Sequence, residues 1–207
     1  MLLIRSIFCK FGMHFATNRN MMKKLILLML VTVVTVSTAV AQEIKWVSFE
    51  EAIALQKKNP KKIMIDMYTN WCGPCKKLDR ETFHNKDVVD YVNKHYYAVK
   101  FNAEGNESVT FNGNTFGNPN YDPAKANRRN SSHELARYYQ IRAYPTIVFL
   151  DEKADFITPV RGYKTAQQLE LYLKLFKNDE HKGMDSQEKF DAYYKAFKPE
   201  FAVTTTK

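Results

Sequence analysis

Two hydrophobic rhythms alternate along the chain. Phe49, Ala52, Ile53 and Gln56 recur at helical spacing. Ser48, with Glu51 three residues on, gives the start signal of a capping box, and Asn59-Pro60 stops the run. KKIMIDMYTN (61–70) is a short apolar run bounded by breakers, which predicts a buried strand at 62–68. Cys72 to Thr82 reads as a helix with Lys76, Lys77, Asp79 and Arg80 on its wet side. Asp87 to Lys94 reads as another helix, through Val88, Val89 and Val92, and YYAVKFN (96–102) as a second buried strand. Pro145 introduces a strand at 146–151. A strand at 156–161 is expected at a sheet edge, because Pro159 cannot donate a ladder hydrogen bond. Helices follow at 165–177, with Leu169, Leu173 and Phe176 on one face, and at 186–197. Strands alternating with helices predict an α/β fold with a mixed central sheet flanked by helices.

Residues 103–130 break the rhythm. They carry seven asparagines, and VTFNGNTF (109–116) suggests a hairpin turning at Asn112-Gly113. Ser131 and Glu134 have capping-box spacing, so a helix is expected from there to Tyr139. A connection this long is unusual unless functional or disordered. It leads towards Pro145, so Phe111, Phe116 and Tyr121 either line a substrate groove or pack locally, the second being favoured. The helix at 186–197 either covers an apolar patch or docks a partner.

The N-terminal segment changes the charge balance. Lys23 and Lys24 precede the apolar run 25–40, and Ala39-Val40-Ala41 follows the small-x-small pattern, so residues 1–41 read as a secretory signal peptide cut after Ala41. The run carries four hydroxyl side chains and is short for a membrane span, which needs about 20 apolar residues. No cysteine at the cut supports a lipid anchor. A start at Met21 or Met22 would give a complete leader, which makes residues 1–20 a candidate over-extension. The whole chain of 207 residues has 31 Lys+Arg against 22 Asp+Glu; removing 1–41 leaves 26 against 22. The remaining basic residues are scattered beside acids, which argues against nucleic-acid binding. Hydrophobic residues make up 45% of the sequence, which excludes a wholly disordered chain. Three cysteines are too few for a disulfide-stapled miniprotein. Cys9 leaves with the leader; Cys72 and Cys75 remain, in a compartment where disulfides persist.

Trp71-Cys72-Gly73-Pro74-Cys75 sits between a buried strand and a helix mouth. Unpaired backbone N–H groups and the helix dipole there favour negative charge, which lowers the pKa of the first thiol and makes the reactive thiolate. The second thiol, one turn on, is within reach of a mixed disulfide. Gly73 permits close approach, and Pro74 is tolerated in a first turn. Zinc is disfavoured: there is no second cysteine pair, and His84, His95, His133 and His181 lack finger spacing. A purely structural disulfide closing so small a loop would stabilise little.

IMIDMYTNWCGPCKKL resembles the strand, active site and helix of the thioredoxin superfamily, including the Gly73-Pro74 dipeptide typical of its reducing members. AYPTIVFLD (143–151) resembles the segment carrying the family's cis-proline. CKKLDRETFHNKDVV resembles the C-terminal domain of the transmembrane thiol-disulfide interchange reductases. The likeness covers residues 60–105 and 133–177. It implies that Cys72 is the nucleophile and Cys75 the resolving thiol, that Trp71 shapes the docking surface, that Pro145 is cis and faces the disulfide, and that the Tyr144 backbone pairs with an extended substrate. Asp66 lies six residues before Cys72, where the family buries an acid behind the second cysteine. An acid in an apolar strand is disfavoured unless paired or useful. Burial would raise its pKa and let it take the proton from Cys75. A strand-edge Asp in water is the alternative. For Lys100 two readings stand: support of that proton transfer, or an outward surface residue.

These readings divide the chain into a leader (1–41), a thioredoxin-like domain (42–178) with an insertion at 103–130, and a helical extension (179–207). They imply an exported, periplasmic or otherwise extracytoplasmic protein-disulfide reductase that uses no cofactor and no metal. Its partners would be disulfide-containing exported proteins and a membrane electron donor. An oxidase or isomerase would use the same residues, and a non-catalytic binding module or holdase the same scaffold. A narrower thiol-reducing task in haem-protein maturation has no distinguishing feature in the sequence.

Overall fold

The centre of the fold is strand β2 (Lys62–Tyr68), six of whose seven residues are buried. A strand apolar on both faces belongs inside a sheet. In the computed structural model, which describes residues 43–203 together with Lys23 and Lys24, β2 is the middle of five strands. The expected leader otherwise lies outside the described residues. Strand β3 (Tyr96–Asn102) runs parallel to β2, with Met64 opposite Ala98 and Asp66 opposite Lys100. A two-residue strand β1 (Trp46–Val47), which the pattern did not predict, pairs parallel with β3 at one edge. On the other side β6 (Thr146–Leu150) runs antiparallel to β2, and β7 (Phe156–Arg161) antiparallel to β6. β7 is the second edge, where Pro159 needs no ladder partner on its outer side. The sheet is thus mixed, with helices on both faces.

Side chains alternate across a strand, and two cores result. Ile63, Ile65 and Met67 pack with Val99, Phe101 and Val148 under helices α1 (Phe49–Lys58) and α4 (Glu134–Tyr138). Met64, Ala98 and Phe149 face the other way, against α3 (Lys86–His95) and α5 (Ala166–Lys177). Asp66 is two residues beyond Met64 and shares its face. The caps are local: Ser48 accepts from the Glu51 amide, Asn85 from those of Asp87 and Val88, and Thr165 and Gln168 close a full capping box. Helix α2 is α-helical only over Gly73–Leu78, and Asp79–Phe83 widens into a π turn that buries Thr82 and Phe83. The hydroxyl of Thr82 donates to the Lys164 carbonyl at 2.6 Å, tying this turn to the start of α5.

The insertion is ordered by its own side chains. Strands β4 (Val109–Phe111) and β5 (Asn114–Phe116) form the hairpin, with positive φ at Asn112 (50°) and Gly113 (77°), as a type I′ turn requires. Phe111 is buried edge-on against Phe49 at 5.2 Å, and Phe116 lies 5.3 Å from the Tyr138 ring. These two aromatics pack locally rather than line a groove. The capping box expected at Ser131 does not form. Ser131 donates instead to the Asn118 side chain (2.7 Å), and the Glu134 carboxylate accepts from the Gly117 amide (2.8 Å). His133 then caps α4 by accepting from the Leu135 amide at 3.0 Å. Both local signals are consumed by the insertion, so the helix starts later.

Helix α6 (Gln187–Ala196) has no fully buried residue, though Phe190 and Tyr193 rest against the second core. Beyond it the chain returns to the body. Phe201 is buried, and the carboxylate of Glu170, itself inaccessible, accepts from the Glu200 and Phe201 amides at 2.8–3.0 Å.

Candidate active site

β2 ends at Tyr68, and the loop Thr69-Asn70-Trp71 delivers Cys72 to the mouth of α2. The Cys72 amide donates to the Thr69 carbonyl at 3.1 Å, which fixes the turn. Cys72 caps α2: its sulfur accepts from the Cys75 amide at 3.1 Å. The two cysteines form a disulfide with Cα atoms 5.3 Å apart, and both are almost wholly buried, whereas Gly73 and Pro74 between them are exposed. A Cβ added at Gly73 would meet no atom within 4 Å. No part of the chain therefore needs a glycine there, and the room it leaves faces outward.

Behind Cys75 lies a cavity of about 150 Å³, lined by Asp66, Tyr68, Thr69, Cys75, Asp79 and Lys100 among others. Asp66 is 2% exposed, and its Oδ1 has no hydrogen-bond partner among the described residues. Burial pushes its pKa up to about 7; the Lys100 charge opposes that rise and the Asp79 charge adds to it. Lys100 sits opposite Asp66 in the ladder, but its ammonium is ion-paired with Asp79 and lies over the rings of Trp46 and Tyr68. Lys100 thus lines the cavity without bonding to Asp66. Asp79, read from the sequence only as a wet-side residue, is brought here by its position one helical turn after Cys75. That i, i+4 spacing was the available signal.

The rim is built from three segments. Strand register sets Thr146 opposite Met67, so the turn before β6 emerges beside the loop that follows β2. The Tyr144–Pro145 bond is cis and Pro145 is buried. The ring of Tyr144 meets that of Trp71 edge-on at 6.1 Å. The third segment is the insertion. Glu104 Oε2 accepts from Trp71 Nε1 at 2.7 Å and from the Asn130 amide at 2.9 Å. Asn70 donates to the Ala126 carbonyl at 2.8 Å, and the Arg129 guanidinium lies 5.0 Å over the Trp71 ring. Sequence reasoning did not find Glu104, Asn70 or Arg129, because the contacts that bring them to the rim span 26 to 58 positions. Among the described residues, no group of three or more His, Cys, Asp or Glu is placed to hold a metal ion.

A family model described as a thioredoxin-like domain matches residues 49–177. The thiol:disulfide interchange protein DsbD of Pectobacterium atrosepticum is 26% identical over 121 residues, which is 58% of this chain and 17% of that protein. DsbD of Haemophilus ducreyi is 27% identical over 115 residues, 55% of this chain and 16% of that protein. The chain thus spans about a sixth of the length of these curated relatives. A solved thioredoxin-fold protein from Helicobacter pylori superposes with a TM-score of 0.50 at 21% identity, covering 66% of this chain and 84% of that one. That likeness speaks for the fold.

Proposed function

The chain belongs to the thioredoxin-like thiol-disulfide oxidoreductase family, and we propose that within it this protein is an exported protein-disulfide reductase. The observation that carries the proposal is the Cys72–Cys75 disulfide at a helix mouth, with the buried carboxyl of Asp66 lining the cavity behind Cys75. In the reduced protein, the Cys72 thiolate attacks a client disulfide. One client sulfur leaves as a thiolate and the other stays bonded to Cys72. Cys75 then attacks the Cys72 sulfur, giving up its proton to Asp66. The second client sulfur leaves, so the client has gained two electrons and the protein has formed its own disulfide. A group poised near neutral pH suits this transfer, since it takes up a proton and releases it under the same conditions.

The Gly73-Pro74 dipeptide supports the reducing direction. The exposed Gly73 leaves room for a client backbone, and the Tyr144–Pro145 turn offers it an extended partner. Export is supported by the leader pattern at 1–41, with cleavage near Ala41; no helix among the described residues is long and apolar enough to cross a membrane. In an oxidising compartment the disulfide must be reduced again by a dithiol donor, and a membrane electron carrier is the donor proposed, by analogy with the thiol:disulfide interchange relatives.

Insulin reduction driven by dithiothreitol tests the activity. The protein accelerates precipitation of the insulin B chain, and the double variant Cys72→Ser, Cys75→Ser does not. Equal rates would refute the redox reading in favour of a binding module. Equilibration with glutathione tests the direction. A potential near that of thioredoxin, about −270 mV, is expected, and one near about −120 mV would make the protein an oxidant.

A further inference from the structure

The outer rim of the redox site carries four exposed cations, while the acids Asp66 and Asp79 line the cavity behind it. Lys76 is exposed on α2 directly after Cys75, and Arg142 is exposed two residues before Tyr144. Arg128 and Arg129 are exposed on the insertion, Arg129 over the Trp71 ring. None of the four forms an ion pair among the described residues, and Arg128 donates only to the Ala124 carbonyl, four residues back. The neighbouring acids are engaged: Asp79 with Lys100, Asp122 with Lys125, Glu134 with Arg137. Glu104 is half-buried, with one oxygen accepting from both Trp71 and Asn130. Four cations without ion pairs thus lie on the segments that build the rim, with Arg129 directly over Trp71. Besides Glu104, the one acid beside them without an ion-pair partner among the described residues is Glu107, whose charge reaches Tyr68 on the cavity side.

The insertion is also fixed where it meets the site. Asn70, Trp71 and Asn130 are bonded to it or through it by three hydrogen bonds of 2.7–2.9 Å. Asn130 further closes the 122–130 loop by bonding to both backbone groups of Asp122. A fixed positive wall beside a reacting group raises the local concentration of anionic partners and speeds their encounter.

We propose that this rim is a docking surface for client polypeptides that carry acidic residues beside their cystine, and that the 118–130 segment gives the site this selectivity. The proposal rests on the redox reading above. Its chemistry is that of a peptide carboxylate cluster meeting Arg128, Arg129, Arg142 and Lys76 while the client sulfur meets Cys72.

The test uses purified protein reduced with dithiothreitol and three substrates: a cyclic disulfide peptide flanked by Asp and Glu, the same peptide flanked by Lys, and bis(2-hydroxyethyl) disulfide as a neutral probe. At low ionic strength the acidic peptide is expected to react about tenfold faster than the basic one or more. The ratio should fall towards one near 0.5 M salt, about where the screening length becomes shorter than the rim. Arg129→Glu combined with Arg142→Glu should abolish or invert the ratio. Lys58→Glu combined with Lys94→Glu, at the far end of the sheet, should leave it intact. Equal rates for the two peptides at low salt, with the neutral probe still reduced, would overturn the docking surface and leave the redox reading standing. A preference that survives the rim reversal would also overturn it. Failure to reduce any of the three would remove the redox reading and the docking proposal with it.

Discussion

Replacing Asp66 with Asn should change how stability depends on pH, by an amount the structure sets. The folded pKa is about 7 because the carboxyl is buried, whereas in the unfolded chain it lies near 3.9. Between those values the folded state holds the proton and the unfolded state has lost it. Stability therefore falls as pH rises from about 4 to about 7, and the loss is complete above that. Each tenfold in proton affinity is worth about 1.4 kcal/mol, so ionised Asp66 costs the alkaline protein about 4 kcal/mol, of which about 3 kcal/mol accrues between pH 5 and pH 8. Asn has nearly the same shape and cannot ionise. The stability of Asp66→Asn minus that of the native protein should grow by about 3 kcal/mol from pH 5 to pH 8. Urea unfolding of the oxidised proteins, followed by far-ultraviolet circular dichroism, measures it. Oxidation keeps both thiols out of the titration, and the difference between variants cancels the groups they share. A gap that stays constant across this range would refute the reasoning, and Asp66 would lose its standing as proton acceptor for Cys75.

Two further outcomes follow from buried or bridging carboxylates. Glu104→Ala removes the acceptor shared by Trp71 and Asn130, whose charge-assisted bonds are worth about 2–3 kcal/mol each at most. Trypsin cleavage at Lys125, Arg128 and Arg129 should rise by about tenfold or more, since cleavage follows the open population; unchanged cleavage would mean the insertion is held by other contacts. Glu170→Ala leaves the Glu200 and Phe201 amides without their acceptor and Lys174 with Glu200 alone as its ion-pair partner. Unfolding free energy should drop by about 3–5 kcal/mol, with Glu170→Gln recovering part of it; a loss below about 1 kcal/mol in urea unfolding would show that the C-terminal return contributes little.

What could be read from the sequence was whatever a short window decides. The bounds of β2 and β3 follow from apolar runs ending at breakers, and the thiol pair is visible as a motif. The burial of Asp66 was only half legible: an acid inside an apolar strand and the family likeness pointed to it, but the pattern left a strand-edge Asp in water open until the fold placed it at 2% exposure. β1 was missed because two residues carry no period. The late start of α4 was missed because Ser131 and Glu134 match a local cap, yet each finds a better partner in the insertion, at Asn118 and Gly117. The Lys100–Asp79 pair needed the π turn and the strand register together, and neither is written in either residue's neighbourhood.

The insertion shows why its composition was the better clue than its pattern. Apart from a hairpin of two three-residue strands it has no ladder to satisfy its backbone, and every buried N–H and C=O still requires a partner. Side-chain amides take the ladder's place: Asn118 donates to the Gly105 and Ser131 carbonyls, and Asn130 both accepts from and donates to Asp122. Asparagine can do this because it carries donor and acceptor on a short stem. An asparagine-rich stretch between apolar strands therefore reads as a loop built to hold one shape. A loop held in one shape is what can keep Glu104 bonded to the Trp71 ring N–H and Arg129 over its face. The same asparagines that fix the loop thereby fix the wall of the redox site, and a client that meets Cys72 meets that wall with its charges already in place.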